Sequence, residues 1–281
     1  MSPNESSRRL TVGAAAPDAS QGRELQDKIA IVTGPAKGMG RAVTLALARA
    51  GAHLALAGRD LAPVHAVADE VKSLGRRAVV HRCDVTSPAD ADATVKATLA
   101  EFGRVDILVN VAGGSGPVGA STWETTPEEF DDIIAINTKG CFLMVRAVLP
   151  VMIGQLSGKI VNVGGTFGLR GQAGRMAYSA SKWGLRGIIK SAALEAGPYN
   201  VNVNNVCPGM VIGERFDRVC AERSKRLGIT LDEARKFYEN QYALRRISEG
   251  EDVAEAVLFL ASERARQITG IDLPVDGGSF I

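Results

Sequence analysis

The sequence has little of what builds metal centres and disulfide frameworks. Its 281 residues include only three histidines and four cysteines. The cysteines, at positions 83, 141, 207 and 220, show neither paired spacing nor a neighbouring cluster of histidines. This pattern favours buried, reduced thiols in a reducing compartment. We therefore expect no metal site and no disulfide framework, and we expect a cytoplasmic protein.

An excess of charge of one sign and long apolar runs are also absent from the sequence. The 33 Lys and Arg residues nearly balance the 31 Asp and Glu residues, which leaves a formal net charge of +2. Because both signs are interspersed, there is no basic stripe for nucleic acid or an anionic membrane. No stretch approaches the roughly 18–20 continuous apolar residues of a membrane span. We expect a small-molecule partner instead.

The first 25 residues are polar or small and have no periodicity. The beginning Ser7-Arg8-Arg9-Leu10 invites comparison with a twin-arginine export signal, but the apolar stretch 12–16 is too short for a signal core. We predict a disordered tail over 1–25 and a single folded domain over 26–281.

Short apolar runs alternate with longer amphipathic stretches from Lys28 onward. Strands are predicted near 28–33, 53–58, 78–83, 106–111, 158–164, 200–206 and 271–275. Helices are predicted over 39–50, 60–74, 88–102, 127–153, 177–196 and 250–262. The alternation predicts an α/β fold of the Rossmann type, a doubly wound parallel sheet of about seven strands with helices on both faces. Ligands are expected at the carboxyl ends of the strands.

A glycine-rich turn follows the first predicted strand and opens the first predicted helix. The turn reads Thr33-Gly34-Pro35-Ala36-Lys37-Gly38-Met39-Gly40. Its glycines allow the backbone to approach a ligand, and the free N–H groups at the positive end of the helix dipole attract a diphosphate. The residues of this turn that we expect to bind a dinucleotide are Gly34, Lys37, Gly38, Met39 and Gly40.

Tyr178 and Lys182 stand four residues apart in a predicted helix, so their side chains share one face. A fixed ammonium beside a phenol favours the phenolate, which proton transfer at neutral pH requires. Such pairs also occur by chance on solvated helix faces. With the glycine turn in the same chain, the pair indicates a proton-transfer site.

Five motifs in a fixed order carry a family resemblance. They are Thr33-Gly34-x-x-x-Gly38-x-Gly40, Asn110-Val111-Ala112-Gly113, Asn137, Tyr178-x-x-x-Lys182 and Pro208-Gly209. In their order and spacing, over roughly residues 26 to 278, the chain resembles the short-chain dehydrogenase/reductase family. The resemblance implies reversible hydride transfer between a nicotinamide cofactor and a secondary alcohol or ketone. It also implies a homotetramer built on the two long helices and the last strand.

The resemblance assigns catalytic roles to Tyr178, Lys182 and Asn137. It makes Tyr178 the proton donor or acceptor, and Lys182 its electrostatic partner that also binds the nicotinamide ribose. Asn137 perturbs its helix, and its freed carbonyl holds a water that connects Lys182 to solvent. A surface Asn would explain the bare sequence of this segment equally well.

Arg59 follows the second predicted strand, where dinucleotide folds often place an acidic residue for the ribose hydroxyls. A carboxylate would repel a 2′-phosphate, whereas Arg59 can contact one and Lys37 can reach the same group. Both residues can equally be ordinary surface cations. We favour NADP(H), with NAD(H) as the alternative.

The remaining cofactor contacts come from the resemblance. It implies that Asp84 and Val85 hold the adenine, although Asp84 can also cap the next helix. Asn110 ties neighbouring strands and lines the cofactor cleft. The backbone from Pro208 and Gly209 to Val211 is expected to hold the nicotinamide carboxamide.

Two positions depart from the family pattern. Gly165 stands where a catalytic serine is expected, and Gly213 stands where a threonine is expected. Losing one such donor typically lowers turnover by ~10²–10³. Three readings of Gly165 are open: Thr166 supplies the hydroxyl, the substrate or a water fills the space, or the chain is a poor redox catalyst.

A lid is expected over about 213–246, with charged amphipathic helices over 214–227 and 231–243. Its aromatic residues either line the substrate pocket or pack the helix pair: Phe216, Phe237, Tyr238 and Tyr242. Arg215 or Arg218 can meet an acidic substrate or pair with lid carboxylates. The substrate itself is not specified by the sequence.

The sequence thus predicts an NADP(H)-dependent oxidoreductase that acts on a secondary alcohol or ketone. Gly165 and Gly213 motivate an alternative, a dinucleotide-binding sensor or partner subunit with weak turnover. A lyase or isomerase on the same scaffold would use Tyr178 without net hydride transfer.

Overall fold

A seven-stranded sheet forms the centre of the structure, a computed structural model that describes residues 23–279. The strands are β1 (Ile29–Thr33), β2 (His53–Gly58), β3 (Ala78–Arg82), β4 (Ile107–Asn110), β5 (Gly158–Val163), β6 (Val201–Pro208) and β7 (Asp272–Val275). Their order is β3-β2-β1-β4-β5-β6-β7, and every neighbouring pair is parallel. The strand order changes direction between β1 and β4, which opens a cleft at the carboxyl ends of these strands. The predicted Rossmann-type fold is confirmed.

Helices cover both faces of the sheet. They are α1 (Gly38–Arg49), α2 (Leu61–Ser73), α3 (Pro88–Phe102), α4 (Pro127–Ile134), α5 (Gly140–Gln155), α6 (Met176–Ala196), α7 (Glu214–Leu227), α8 (Leu231–Glu239) and α9 (Gly250–Ala261). The helix predicted over 127–153 contains a π-helical turn, Ala135–Lys139, between α4 and α5. This turn carries Asn137, a poor helix former.

The core lies on both faces of the sheet. Helices α1, α2 and α9 pack on one face and α3, α5 and α6 on the other. Strands β1, β4 and β5 are buried along their whole length, and burial on both faces explains the apolar runs 29–32 in β1 and 107–109 in β4. The helical stretch Pro127–Gln155 is long and apolar enough to cross a membrane by length and composition alone. Its partners here are β4, β5, α3 and α6, as for a core helix.

The folded region begins before the predicted boundary. The predicted tail over 1–25 lies mostly outside the described residues, but Leu25 is described and is only 2% exposed. Its backbone N–H donates to the carbonyl of Ala50 at 2.9 Å, and Glu24 pairs with Arg264. Residues 23–25 are therefore part of the folded unit, because Leu25 packs into the hydrophobic core.

Asp272 of β7 is a partly buried carboxylate with three donors. It accepts from Asn205 Nδ2 at 2.9 Å and from Arg186 Nε at 2.9 Å, and it pairs with Lys190 at 3.2 Å. Burial opposes the ionisation of Asp272, but the hydrogen bonds together outweigh this effect. The pKa of Asp272 is therefore below its ordinary value. The ionised carboxylate therefore stabilises the fold above the unfolded pKa of about 3.9, and this contribution is lost as the pH falls.

We expect Asp272→Asn to lower the free energy of unfolding at pH 7 by about 1–3 kcal/mol, because Arg186 loses a charged acceptor. In the variant, the free energy of unfolding should also decrease less as the pH falls from 7 to 3. Urea unfolding between pH 3 and pH 7 measures both effects. If the variant loses as much stability toward pH 3 as the wild type does, another carboxylate causes the acid dependence.

Candidate active site

In the glycine turn after β1, contacts at Gly34 and Gly40 leave no room for a side chain. Gly34 has φ +66° and Gly38 has φ +52°, a region that favours glycine. A Cβ built at Gly40 would overlap the carbonyl oxygen of Gly34. A Cβ at Gly38 would instead enter open space, so the backbone of Gly38 is accessible from the cleft. The turn thus brings the start of α1 close to any ligand there.

Within the described chain, α1 has no acidic residue in its first turn, and its N-cap Lys37 makes no side-chain capping bond. The first N–H groups and the positive end of the dipole therefore remain available to an anion. Thr33 Oγ1 accepts from the backbone N–H groups of Val111 and Ala112, each at 3.2 Å. This bond holds the ends of β1 and β4 around the cleft. The residues present fit a pyridine dinucleotide with its diphosphate at α1.

Tyr178 and Lys182 lie on the same side of α6, beside the carboxyl end of β5. Lys182 Nζ is 5.7 Å from the centroid of the Tyr178 ring. Lys182 is 6% exposed, and its ammonium donates to the carbonyl of Val163 at 3.1 Å. Phe167 meets the Tyr178 ring edge-on, with 6.2 Å between centroids. The phenol is therefore held next to a buried cation at the mouth of the cleft.

Asn137 joins this group through the π-helical turn. Its Oδ1 accepts from the backbone N–H of Gly114 at 2.8 Å, and its Nδ2 donates to Ser181 Oγ at 2.9 Å. Ser181 Oγ in turn donates to the carbonyl of Tyr178 at 2.7 Å. Asn137 thus connects the loop after β4 to the helix that carries Tyr178 and Lys182. Motif reading had not identified Ser181 as this link.

Arg175 is a second neighbour of Tyr178 that sequence reasoning missed. Its guanidinium carbon lies 4.6 Å from the centroid of the Tyr178 ring. Arg175 precedes α6 as its N-cap residue, so the three-residue spacing to Tyr178 was visible in the sequence. The loop conformation that folds the side chain over the ring was not.

The two positions that lack a hydroxyl have a backbone that only glycine adopts readily. Gly165 has φ 157° and ψ 153°, and Gly213 has φ 141° and ψ −177°, both in a region that is essentially restricted to glycine. A Cβ built at Gly165 would be 3.1 Å from Tyr178 Oη. Thr166, the proposed substitute donor, is 6% exposed and begins a short 3-10 turn. The departure at Gly165 thus changes the backbone as well as the side chain.

Because of this backbone, a serine at position 165 should not restore a family-like donor. We expect Gly165→Ser and Gly165→Ala to lower the free energy of unfolding by a similar amount, about 1–3 kcal/mol. Turnover should fall in both variants, since each adds a Cβ beside Tyr178 Oη. Urea unfolding and NADPH-dependent ketone reduction measure the pair. Higher turnover in the serine variant than in the wild type would refute this reading.

The residues predicted to hold the adenine half lie at the ends of β2 and β3. Arg59 is exposed directly after β2. Asp84 Oδ1 accepts from the backbone N–H of Thr86 at 2.9 Å and from its hydroxyl at 2.8 Å, and these bonds lower the pKa of Asp84. Ser87, rather than Asp84, caps α3, so the alternative helix-capping role is wrong. Val85 packs against the backbone of Gly140.

The Asn110 side chain is buried inside the sheet, between β4 and β5. Its Nδ2 donates to Asn162 Oδ1 at 2.8 Å, and Asn110 is 6% exposed. The bond ties β4 to β5 directly below the cleft. This placement agrees with a strand-tying role.

The segment Pro208 to Val211 leaves β6 and passes over the cleft. Gly209 approaches Tyr242 so closely that a Cβ would be 2.9 Å from its Oη. The same Oη accepts from the backbone N–H of Met210 at 2.7 Å. Val211 forms an isolated parallel bridge with Ser248. The backbone near the expected carboxamide position is thus fixed by a tyrosine of the lid.

The lid aromatic residues pack mainly with each other. Phe216 and Tyr242 are 6% and 5% exposed, and both belong to a small cluster of their own. Tyr238 contacts both Phe216 and Phe237 edge-on, and Arg223 lies 3.2 Å over the Phe237 ring. Packing of the helix pair is therefore their observed role. The helix predicted to end at position 243 ends at Glu239 instead, because Tyr242 turns inward to Met210.

One lid carboxylate reaches the glycine turn. Lys37 Nζ and Glu214 Oε2 form an ion pair at 2.8 Å between side chains that are each 79% exposed. Such exposed pairs contribute little, so Lys37 can exchange this partner for a phosphate. The sequence separation of 177 residues put this contact beyond pattern reading.

Comparison with known proteins agrees with this site. A family model described as "Enoyl-(Acyl carrier protein) reductase" matches residues 34–279. The chain is 33% identical over 256 residues to a 3-oxoacyl-[acyl-carrier-protein] reductase of Staphylococcus aureus, covering 90% of this chain and 98% of the relative. A D-beta-hydroxybutyrate dehydrogenase of Rhizobium meliloti is 33% identical over 255 residues, covering 89% and 98%.

Solved structures of the same kind share the fold over most of the chain. NAD+-bound xylitol dehydrogenase superposes with a TM-score of 0.86 at 29% identity, covering 90% of this chain and 99% of the other. Actinorhodin polyketide ketoreductase with NADPH gives a TM-score of 0.85 at 31% identity, covering 90% and 97%. The match of the family model to most of the chain, with relatives over 30% identical along nearly their whole length, establishes that this chain belongs to the short-chain dehydrogenase/reductase family of oxidoreductases.

Proposed function

We propose that the protein is an NADP(H)-dependent oxidoreductase that interconverts a secondary alcohol and a ketone. The observation that carries this proposal is the buried Lys182 ammonium beside the Tyr178 ring, at the carboxyl edge of a sheet whose glycine turn fits a dinucleotide. Tyr178 Oη is thereby positioned to transfer a proton to or from a substrate oxygen.

Each residue of the group has a defined task in this proposal. The bound cofactor supplies or accepts the hydride. Tyr178 Oη donates its proton to the carbonyl oxygen in reduction and takes the hydroxyl proton in oxidation. Lys182 places an ammonium beside the Tyr178 ring, and its contact with the Val163 carbonyl fixes that ammonium. Asn137 holds the loop after β4 against α6 and so fixes the position of this helix beside the cleft.

The direct test is oxidation of NADPH with a panel of ketones and reduction of NADP+ with the matching secondary alcohols, both followed by absorbance. Steady consumption of the cofactor supports the proposal. Tight cofactor binding without turnover on any compound would favour a dinucleotide-binding sensor, which Gly165 beside Tyr178 Oη keeps as the second candidate. Product formation without a change in absorbance would favour a lyase or isomerase.

The NADP(H) preference is supported by Arg59. It is exposed at the end of β2, and its charge acts on Asp84. We expect Arg59→Asp to raise the KM for NADPH about tenfold or more, because a charge-assisted phosphate contact is replaced by repulsion, and to lower the ratio of NADPH to NADH activity. Kinetics with both cofactors measure this change. Arg49, exposed in the last turn of α1, provides the control Arg49→Asp. Equal effects of both variants on the KM for NADPH would contradict the assignment.

A homotetramer in the cytoplasm completes the proposal. Large apolar side chains on α5 and α6 are exposed in the single chain, with Phe142 at 46%, Trp183 at 48% and Leu194 at 81%. Exposed apolar surface of this kind is typical of an interface between subunits. Light scattering tests the assembly directly.

A further inference from the structure

The surroundings of Arg175 point to a role beyond packing. The guanidinium carbon of Arg175 lies 4.6 Å from the centroid of the Tyr178 ring, and a guanidinium over an aromatic ring can still donate from its N–H groups. Arg175 Nε is buried and has no hydrogen-bond partner within residues 23–279. A buried donor without a partner is unfavourable unless a ligand or water completes it. Because the guanidinium lies beside Tyr178, an acceptor carried by a ligand at that residue is a suitable partner for Arg175.

The local charge also favours an anion. Burial lowers the pKa of Arg175 below its ordinary value, Tyr178 opposes this effect, and the nearby charge of Arg215 adds to it. Arg215 lies in the first turn of α7, so the lid brings a second cation toward the first. Two like charges at one mouth are stabilised when an anion lies between them.

The carboxylates that could have neutralised these arginines pair elsewhere. Glu214 pairs with Lys37 at 2.8 Å, and Asp217 pairs with Arg235 at 2.8 Å. In the described part of the chain, neither Arg175 nor Arg215 takes part in an ion pair. The charge at this end of the cleft is thus left for a ligand.

We propose that Arg175 is a specificity-determining residue that binds a carboxylate on the carbonyl substrate, with Arg215 of the lid adding long-range attraction. The substrate class is then a keto acid or its hydroxy acid, with the anionic group beside the Tyr178 ring and the carbonyl at Tyr178 Oη. This inference rests on the proposed function only for the position of the reacting carbonyl at Tyr178 Oη. The selective contact comes from Arg175, which lies outside the five sequence motifs.

The kinetic test compares 4-oxopentanoate with its uncharged methyl ester, each reduced with NADPH. The wild type should prefer the acid in kcat/KM. Arg175→Gln should lower the ratio of acid to ester by about 10- to 100-fold, mainly through the KM for the acid, and Arg175→Lys should keep part of the ratio. Arg226→Gln, an exposed arginine in the last turn of α7, should keep the wild-type ratio.

Two kinetic outcomes would overturn the inference. One is a wild type without preference for the acid. The other is a loss in Arg175→Gln that is equal for acid and ester, as expected when Arg175 only packs on Tyr178. Thermal unfolding of every variant verifies that the chains compared are folded.

A binding measurement separates this inference from the proposed function. Calorimetry measures the affinity of pentanoate, and of the isosteric pentanamide, for the protein saturated with NADP+. Pentanoate affinity should fall about 10- to 100-fold in Arg175→Gln, whereas the amide should show no such change. If the wild type reduces no ketone while this dependence persists, the inference holds and the redox proposal fails. Equal pentanoate affinity in wild type and variant would refute the inference whatever the turnover.

Discussion

Replacing Tyr178 with phenylalanine is expected to lower kcat for ketone reduction by about 10²–10⁴, the usual contribution of a positioned proton donor. The ring remains, so its contacts with Phe167 and Arg175 should hold α6 in place. NADPH binding should therefore change little, because only the hydroxyl is removed. Stopped-flow absorbance measures the turnover, and quenching of NADPH fluorescence measures the binding.

Tyr199 provides the matched control for this substitution. It is 41% exposed in the short turn after α6, away from Lys182 and Asn137. Tyr199→Phe should keep the turnover of the wild type. Full turnover in Tyr178→Phe would remove the proton donor from the proposed mechanism and, with it, the reason for the buried Lys182 beside the ring.

Replacing Gly40 with alanine is expected to disrupt the cofactor turn. The added Cβ would overlap the carbonyl oxygen of Gly34, and this backbone atom cannot move without moving the turn. We expect the free energy of unfolding to fall by about 1–3 kcal/mol, as for overpacked sites. NADPH affinity should fall at least about tenfold, because the N–H groups at the start of α1 lose their position.

The control for this effect is an alanine at Gly187, in the exposed middle of α6. A Cβ there would meet nothing within 4 Å, and alanine is the better helix former by about 0.5–1 kcal/mol. Gly187→Ala should therefore be slightly more stable than the wild type and bind NADPH normally. If Gly40→Ala unfolds and binds as the wild type does, the close approach of α1 to Gly34 is not required.

Much of the site could be predicted because its motifs are local. The four-residue spacing of Tyr178 and Lys182 acts through helix geometry, and the glycines of the turn act through their own dihedral angles. Asn137 was identified as a perturbation in a helical pattern, and it lies in a π-helical turn. These features depend on a few neighbouring residues, and a single sequence displays them.

Other features depend on contacts between distant segments. The ion pair of Lys37 with Glu214, the packing of Tyr242 under Met210 and the position of Arg175 over Tyr178 follow from how loops are placed. For this reason the predicted helix over 231–243 was too long, and only the structure selected packing of the helix pair over pocket lining for the lid aromatic residues. Arg215 was identified as a candidate for an acidic substrate, but its neighbour Arg175 was not.

The sequence by itself determined the parallel α/β architecture, the diphosphate turn and the pairing of a phenol with an ammonium, because hydrophobic periodicity and backbone freedom are properties of short segments. Only the tertiary structure decided that Gly165 adopts a backbone that favours glycine and that Arg175 lies over the Tyr178 ring, where the charge of Arg215 acts on it. Both depend on chain segments that meet only after folding, where burial and the sum of nearby charges are set.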